Sequence, residues 1–203
     1  MASLVPVPRE RLRRWFENFE AGHGATTVSV SDGHLRGLAA DGSWFDAAAP
    51  FDRSVATSTI DALEMACAPP EEWGILLVRK GGFAVARLAE DRIVESKVGQ
   101  RHVQGRTKAG GQSQQRFARR RDNQARAAYE AAADHAARIV GHVPVLVTGG
   151  DHAAVVAVLE DPRLREPAAH VRGAFLTVPD PRRGVLESAI RDACSVRIDV
   201  TNA

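Results

Sequence analysis

The sequence predicts an α/β protein with a mixed sheet, preceded by a small α+β unit. Three observations carry that expectation. From Trp73 onward, strand-like runs alternate with helical periods, and turn residues separate them. Residues 1–70 show a different and shorter pattern of helix, hairpin and helix. The 203-residue length suits one medium domain or one domain with a modest extension, enough to bury a core without disulfides. Cys67 and Cys194 have neither a CxxC spacing nor a histidine partner at metal-ligand spacing. They read as buried free thiols in a reducing compartment.

In the first unit, Leu12, Trp15, Phe16 and Phe19 recur at i, i+3, i+4, i+7, which predicts an amphipathic helix from Arg9 to about Ala21, ended by Gly22 or Gly24. "TTVSV" and "HLRGL" flank Ser31-Asp32-Gly33 and predict a tight hairpin. A loop holding Trp44 and Pro50 comes next. A second helix starts near Ser58, turns Ile60, Leu63 and Cys67 inward, and stops at Pro69-Pro70.

Three strand-like runs then follow, "WGILLVRK", "FAVARLA" and "RIVESKVG", separated by Gly81-Gly82 and Glu90-Asp91, which is the pattern of an antiparallel meander. A long helix is expected from about Gln114 to Val140. Its apolar stripe is Phe117, Ala125, Ala128, Ala132, Ala136 and Ile139, and the alanines allow close approach to a sheet. "VPVLVTGG" reads as a buried strand, Asp151 as the cap of a helix through Leu159, "AFLTVP" as a strand, "RRGVLESAIRDA" as a helix and "VRIDV" as the last strand. The expected domains are therefore residues 1–70 and 71–203.

The order β-β-β-α-β-α-β-α-β matches a ribonuclease H-like topology. Metal-dependent nucleases of that fold gather acidic side chains, usually beginning with one in the first strand, and "GILLVRKG" has none. No metal, and no other cofactor, is expected. The N-terminal "MASLVPVPRERLRRWFENF" places charges where a signal peptide needs an apolar run, and no segment approaches a membrane span. The expectation is a cytoplasmic protein without a membrane partner.

Net charge is only +2, but its distribution is lopsided. Between residues 97 and 126 stand Lys97, Arg101, Arg106, Lys108, Arg116, Arg119, Arg120, Arg121 and Arg126, opposed only by Asp122. The rest of the chain holds 18 basic and 24 acidic side chains. An acidic body with one intensely basic segment should hold that segment toward phosphate.

About fifteen residues between the third meander strand and the long helix, 99–113, lack apolar periodicity. A loop of that length in a compact domain is functional or disordered, and mobility of Gly99–Gly111 is expected. Gly110-Gly111 presents Gln112 at or near its tip. A side-chain amide has no useful pKa, so it is no general base, but it can orient a water and stabilise an oxyanion together with its backbone N–H.

Gly110-Gly111-Gln112, on a basic loop between a β-meander and a long helix, resembles the GGQ motif in the catalytic middle domain of eukaryotic and archaeal class I peptide-chain release factors. More closely, "KVGQRHVQGRTKAGGQSQQRFARRRDNQAR" resembles the actinobacterial VLRF-type peptidyl-tRNA hydrolases, over roughly Trp73 to Val200. The resemblance implies a release-factor middle-domain topology and hydrolysis of the ester joining a nascent peptide to tRNA. The implied partners are peptidyl-tRNA and the large ribosomal subunit at its peptidyl-transferase centre. It implies that Gln112 positions the water and faces the oxyanion with its backbone amide, while Gly110 and Gly111 permit entry into a narrow RNA-walled cavity. Arg101, Arg106, Lys108, Arg116, Arg119, Arg120, Arg121 and Arg126 would contact RNA.

The departures from the family pattern are specific. Eukaryotic quality-control relatives carry their glutamine after Gly-Ser, whereas here it follows Gly-Gly, with Gln114 and Gln115 close behind; the catalytic amide is Gln112 or one of these. Residues 1–70 are too few for a stop-codon-reading domain and lack its NIKS motif, so release should be codon-independent. The chain ends "SVRIDVTNA", unlike the basic tail of small bacterial rescue hydrolases. Gly111-Gln112-Ser113-Gln114-Gln115 misses the second glycine of a G-x-S-x-G elbow, and Ser113 reads as a helix N-cap. The competing class is a non-catalytic ribosome- or RNA-binding protein in which Gln112 is only a turn residue.

Overall fold

The computed structural model describes residues 3–100 and 112–203, and side chains for all of these except 100 and 112–125. The chain forms two compact units, one of residues 1–69 with 190–203 and the other of residues 70–189.

In the first unit, β1 (Ser3–Val7) leads through one 3-10 turn into α1 (Leu12–His23), which ends at Gly24. The predicted apolar stripe is the buried one. Trp15, Phe16 and Phe19 surround Phe45 with ring centroids 5.1–5.5 Å apart, in edge-on or tilted arrangements that suit aromatic quadrupoles. β2 (Thr26–Ser31) and β3 (His34–Ala39) pair across Asp32-Gly33, whose φ values of 54° and 79° make the two-residue turn anticipated from the sequence. Thr59 caps α2 (Ile60–Ala66) by accepting from the Ala62 N–H at 3.2 Å. Leu63 and Cys67 are buried beneath it. Burial pushes the Cys67 thiol up to about 12, so it stays protonated, while Cys194 is only half-buried, contrary to the expectation of two buried thiols.

The segment around Trp44, expected as a loop, is strand β4 (Trp44–Ala48). Its alternation covers five residues and includes two alanines, too little for a period-two signal; burial of Phe45 and Ala47 against α1 fixes it. A larger correction concerns the C-terminus. β9 (Val196–Thr201) does not extend the sheet of the second unit but lies between β1 and β4, giving the antiparallel order β1-β9-β4-β3-β2. The expected 71–203 domain therefore loses its last strand, and the helix-hairpin-helix unit is a five-stranded sheet carrying two helices. The sequence of β9 names its burial pattern but not its partner, because pairing across some 150 residues leaves no local trace.

In the second unit, β5 (Trp73–Arg79), β6 (Gly82–Ala89) and β7 (Arg92–Gln100) form the expected antiparallel meander. β8 (Leu146–Gly150) pairs with β5 in parallel, and the order β7-β6-β5-β8 makes the sheet mixed. Asp151 caps α4 (His152–Leu159) by accepting from the N–H groups of Ala153 and Ala154. "AFLTVP" is not a strand. It meets β8 at an isolated parallel bridge, Leu176 to Gly149, and a second isolated bridge, Val171 to Leu146, lies before it in the chain. A 3-10 turn (Pro162–Leu164) and α5 (Arg165–Ala169), neither of which the sequence predicts, precede it. The helix expected in "RRGVLESAIRDA" is α6 (Arg183–Ala193), which belongs to this unit up to Ala189 and to the first from Ile190.

Candidate functional site

The long helix α3 spans Gln112–Val140, 29 residues and about 43 Å at 1.5 Å per residue. Its C-terminal third is its anchor: Ala132, Ala133, Ala136, Ile139 and Val140 are buried with Leu76, Val78, Phe83 and Val85 of the sheet. The short alanine side chains let helix and sheet approach closely, as the sequence predicts. Phe83 at the start of β6 stacks on His135 at 5.5 Å, and Arg138 pairs with Glu95 of β7. These two contacts fix the helix against both strands of the hairpin that leads to the loop.

Lys80, in the turn between β5 and β6, shares an open groove with Arg126 and Tyr129. That end of the sheet is therefore level with the middle of α3. Gln112 lies fourteen residues, or about 21 Å, nearer the helix start. Gly82 pairs with Gln100, so the meander ends on the same side of the sheet as Lys80, and residues 101–111 connect this point to Gln112. The geometry is that of a long helical stalk whose first residue is Gln112.

Several predicted site residues, Arg101, Arg106, Lys108, Gly110 and Gly111, lie outside the described residues, as does the expected mobility of their segment. Gln112, Arg116, Arg119, Arg120 and Arg121 are placed on the α3 backbone, their side chains outside the described set. Arg126 is exposed. Two sequence readings change. α3 begins at Gln112 rather than near Gln114, so Ser113 stands inside the first turn and is not its N-cap, and Gln112, expected at or near the loop tip, is the first residue of the helix. The first four N–H groups of a helix lack intrahelical acceptors and carry the positive end of its dipole. Those of 112–115 are such groups.

Around this end of the sheet the polar partners are local. Arg79 donates to the Val178 carbonyl at 2.7 Å and pairs with Asp180 at 3.4 Å. Asp161 accepts from Arg163, which holds its carboxyl down at about 2, and Arg163 also reaches Asp134 of α3 at 2.7 Å. Nothing local in the sequence signals that Lys80 and Tyr129 line one groove with Arg126, since neither lies in the charge run or in a motif. Among the described residues no three His, Cys, Asp or Glu side chains are gathered as a metal ion would require, and no helix is long and apolar enough to cross a membrane.

No curated protein matches the chain. Among solved structures, Archaeoglobus fulgidus Pelota is 12% identical, with a TM-score of 0.29, over 94% of this chain and 61% of the Pelota chain. The chain thus spans less than two thirds of that protein. The family model described as "Actinobacteria/chloroflexi VLRF1 release factor" matches residues 71–199, which contain the meander, α3 and the Gly-Gly-Gln sequence. With more than half of its length matched to that model, the chain belongs to the Actinobacteria/chloroflexi VLRF1 release factor family.

Proposed function

We propose that this protein is a codon-independent peptidyl-tRNA hydrolase that frees nascent chains from stalled or split ribosomes in the cytoplasm. The observation that carries the reading is the coincidence of Gly110-Gly111-Gln112 with the start of a 29-residue helix in a release-factor family member. The anchored third of α3 holds the stalk, and the stalk carries Gln112 away from the sheet into the peptidyl-transferase centre of the large subunit. There the Gln112 amide orients a water toward the ester carbonyl, and the backbone N–H at the helix start faces the developing oxyanion. The water's oxygen forms the new acyl bond, the ester C–O bond breaks, and the peptide leaves as a carboxylic acid while the ribose oxygen takes a proton. Proton transfer falls to the ribose and ribosomal RNA, since glutamine neither gives nor takes one. Arg101, Arg106, Lys108, Arg116, Arg119, Arg120, Arg121 and Arg126 neutralise RNA phosphates along the stalk.

We also infer that the second unit is the ribonuclease H-like middle domain of release factors. The order β7-β6-β5-β8, with three antiparallel strands and then one parallel, supports this.

Single-turnover release from large subunits carrying peptidyl-tRNA tests the reaction at saturating protein. Gln112→Ala should slow release by about 10² to 10³, the usual loss for one positioned donor, while ribosome binding persists. A wild-type rate in Gln112→Ala with a loss in Gln114→Ala or Gln115→Ala would move the catalytic amide. Full rates in all three would leave a non-catalytic RNA-binding protein.

A further inference from the structure

The groove beside α3 is a feature of the second unit that the proposed reaction does not use. It is an open cavity of about 590 Å³, with α3 on one wall, α4 on the other and the β5–β6 turn at one end. Its apolar lining comes from the ring of Tyr129 with Ala133 and Ala157. Lys80 and Arg126 both line it and are exposed, and neither makes an ion pair among the described residues. Glu130, Glu160 and Asp161 supply carboxylates, of which Asp161 is already engaged by Arg163.

The position of this groove on α3 gives it meaning. Arg116, Arg119, Asn123 and Arg126 recur at three- and four-residue spacing, and the same spacing continues to Glu130 and Ala133. A phosphate backbone following the arginine positions down the helix would therefore arrive at the groove, where Arg126 and Lys80 offer two cations that make no ion pair among the described residues. The slot beyond them has an aromatic ring and two alanines, which suits a flat base. Among the described residues, no side chain donates to the carboxylates of Glu130 and Glu160. They match an exocyclic amine or a ribose 2′-hydroxyl and repel phosphate, which confines the backbone to the Lys80 end. Burial and the Asp151 carboxylate push the Tyr129 phenol up, so it remains a protonated donor.

We propose that this groove binds one unpaired nucleotide of a single-stranded RNA, with its base on Tyr129 and its phosphates on Lys80 and Arg126. The proposal rests on the RNA-facing reading of α3 and adds a second RNA contact, beyond the middle of the stalk and remote from Gln112.

The test uses the full chain and a labelled single-stranded RNA oligonucleotide of mixed sequence, followed by fluorescence anisotropy across a salt series. Lys80→Ala should lower the log-log salt slope by about 0.7, the value for one phosphate on a single strand. Tyr129→Ala should weaken binding roughly 5- to 150-fold, as loss of one stacked base does, and Tyr129→Phe should largely restore it. Crosslinks from 4-thiouridine-substituted RNA should fall in the tryptic peptide that contains Tyr129. Lys80 is exposed in a turn, so Lys80→Glu stays informative even if Tyr129→Ala unfolds. Parental affinity and slope in Lys80→Ala and Lys80→Glu, or crosslinks confined to residues before Arg126, would overturn the proposal. Tyr129-dependent binding of a protein component of the large subunit without RNA would overturn it in favour of a protein ligand. Release by Gln112→Ala, measured separately, reports on the hydrolase reading, so the two can fail independently.

Discussion

Gly99 lies one residue before the end of β7, against the ring of Phe83, and a Cβ there would overlap that ring. The same ring stacks on His135 of α3, so three residues tie the root of the loop to the stalk. Gly99→Ala must push Phe83 toward the helix, and overpacking of this kind costs about 1–3 kcal/mol. Urea unfolding of Gly99→Ala, Phe83→Leu and the double variant should show the glycine penalty shrinking when the ring is gone, a coupling expected of residues in contact. Additive losses would mean that the strand moves instead of the ring. In the sequence the glycine at 99 reads as the start of a mobile loop, whereas it lies within β7. Its neighbour Phe83 gives it a packing role that no local pattern records.

At the scale of elements, α3 and β9 make opposite lessons. α3 was legible because its 3.6-residue alanine period is long and uninterrupted, and the structure moves its start by only two residues. β9 was legible as a strand but not as a member of its sheet. Ile198 is fully buried in the core of the first unit, with β1 on one side of its strand and β4 on the other. Ile198→Ala should therefore destabilise the first unit by about 2–5 kcal/mol. Truncation after Ser195 should leave β1 and β4 without their shared partner. Limited proteolysis should then cut within residues 1–69 while leaving the second unit protected. Equal protection of both units after truncation would show that the pairing of β9 is dispensable.

For the whole molecule the governing quantity is the uneven charge, nine basic residues against one acid in residues 97–126 of a chain whose net charge is +2. Replacing Arg119, Arg120 and Arg121 together with alanine should weaken RNA or ribosome association and flatten its salt dependence by up to about three units of log-log slope. The fold should persist, since among the described residues the buried core positions of α3 begin at Ala132. A salt titration identical to the parent would show that the arginines are only a solvated surface; loss of the folded state would show that they are structural.

The sequence by itself determined what is encoded locally. It placed the aromatic stripe of α1, the Asp32-Gly33 hairpin, the three meander strands, the Asp151 cap and the long helix, because each depends on neighbours within a few residues. The Gly-Gly-Gln sequence and the charge run were legible for the same reason. Tertiary structure alone decided the placement of the last strand in the first sheet, the strand at Trp44, and the failure of "AFLTVP" to form a ladder. It also brought Lys80 from a turn to face Arg126 and Tyr129 on a helix 46 and 49 residues away. Pairing partners and grooves arise from burial between distant segments, and burial is a property of the assembled chain, not of any window along it.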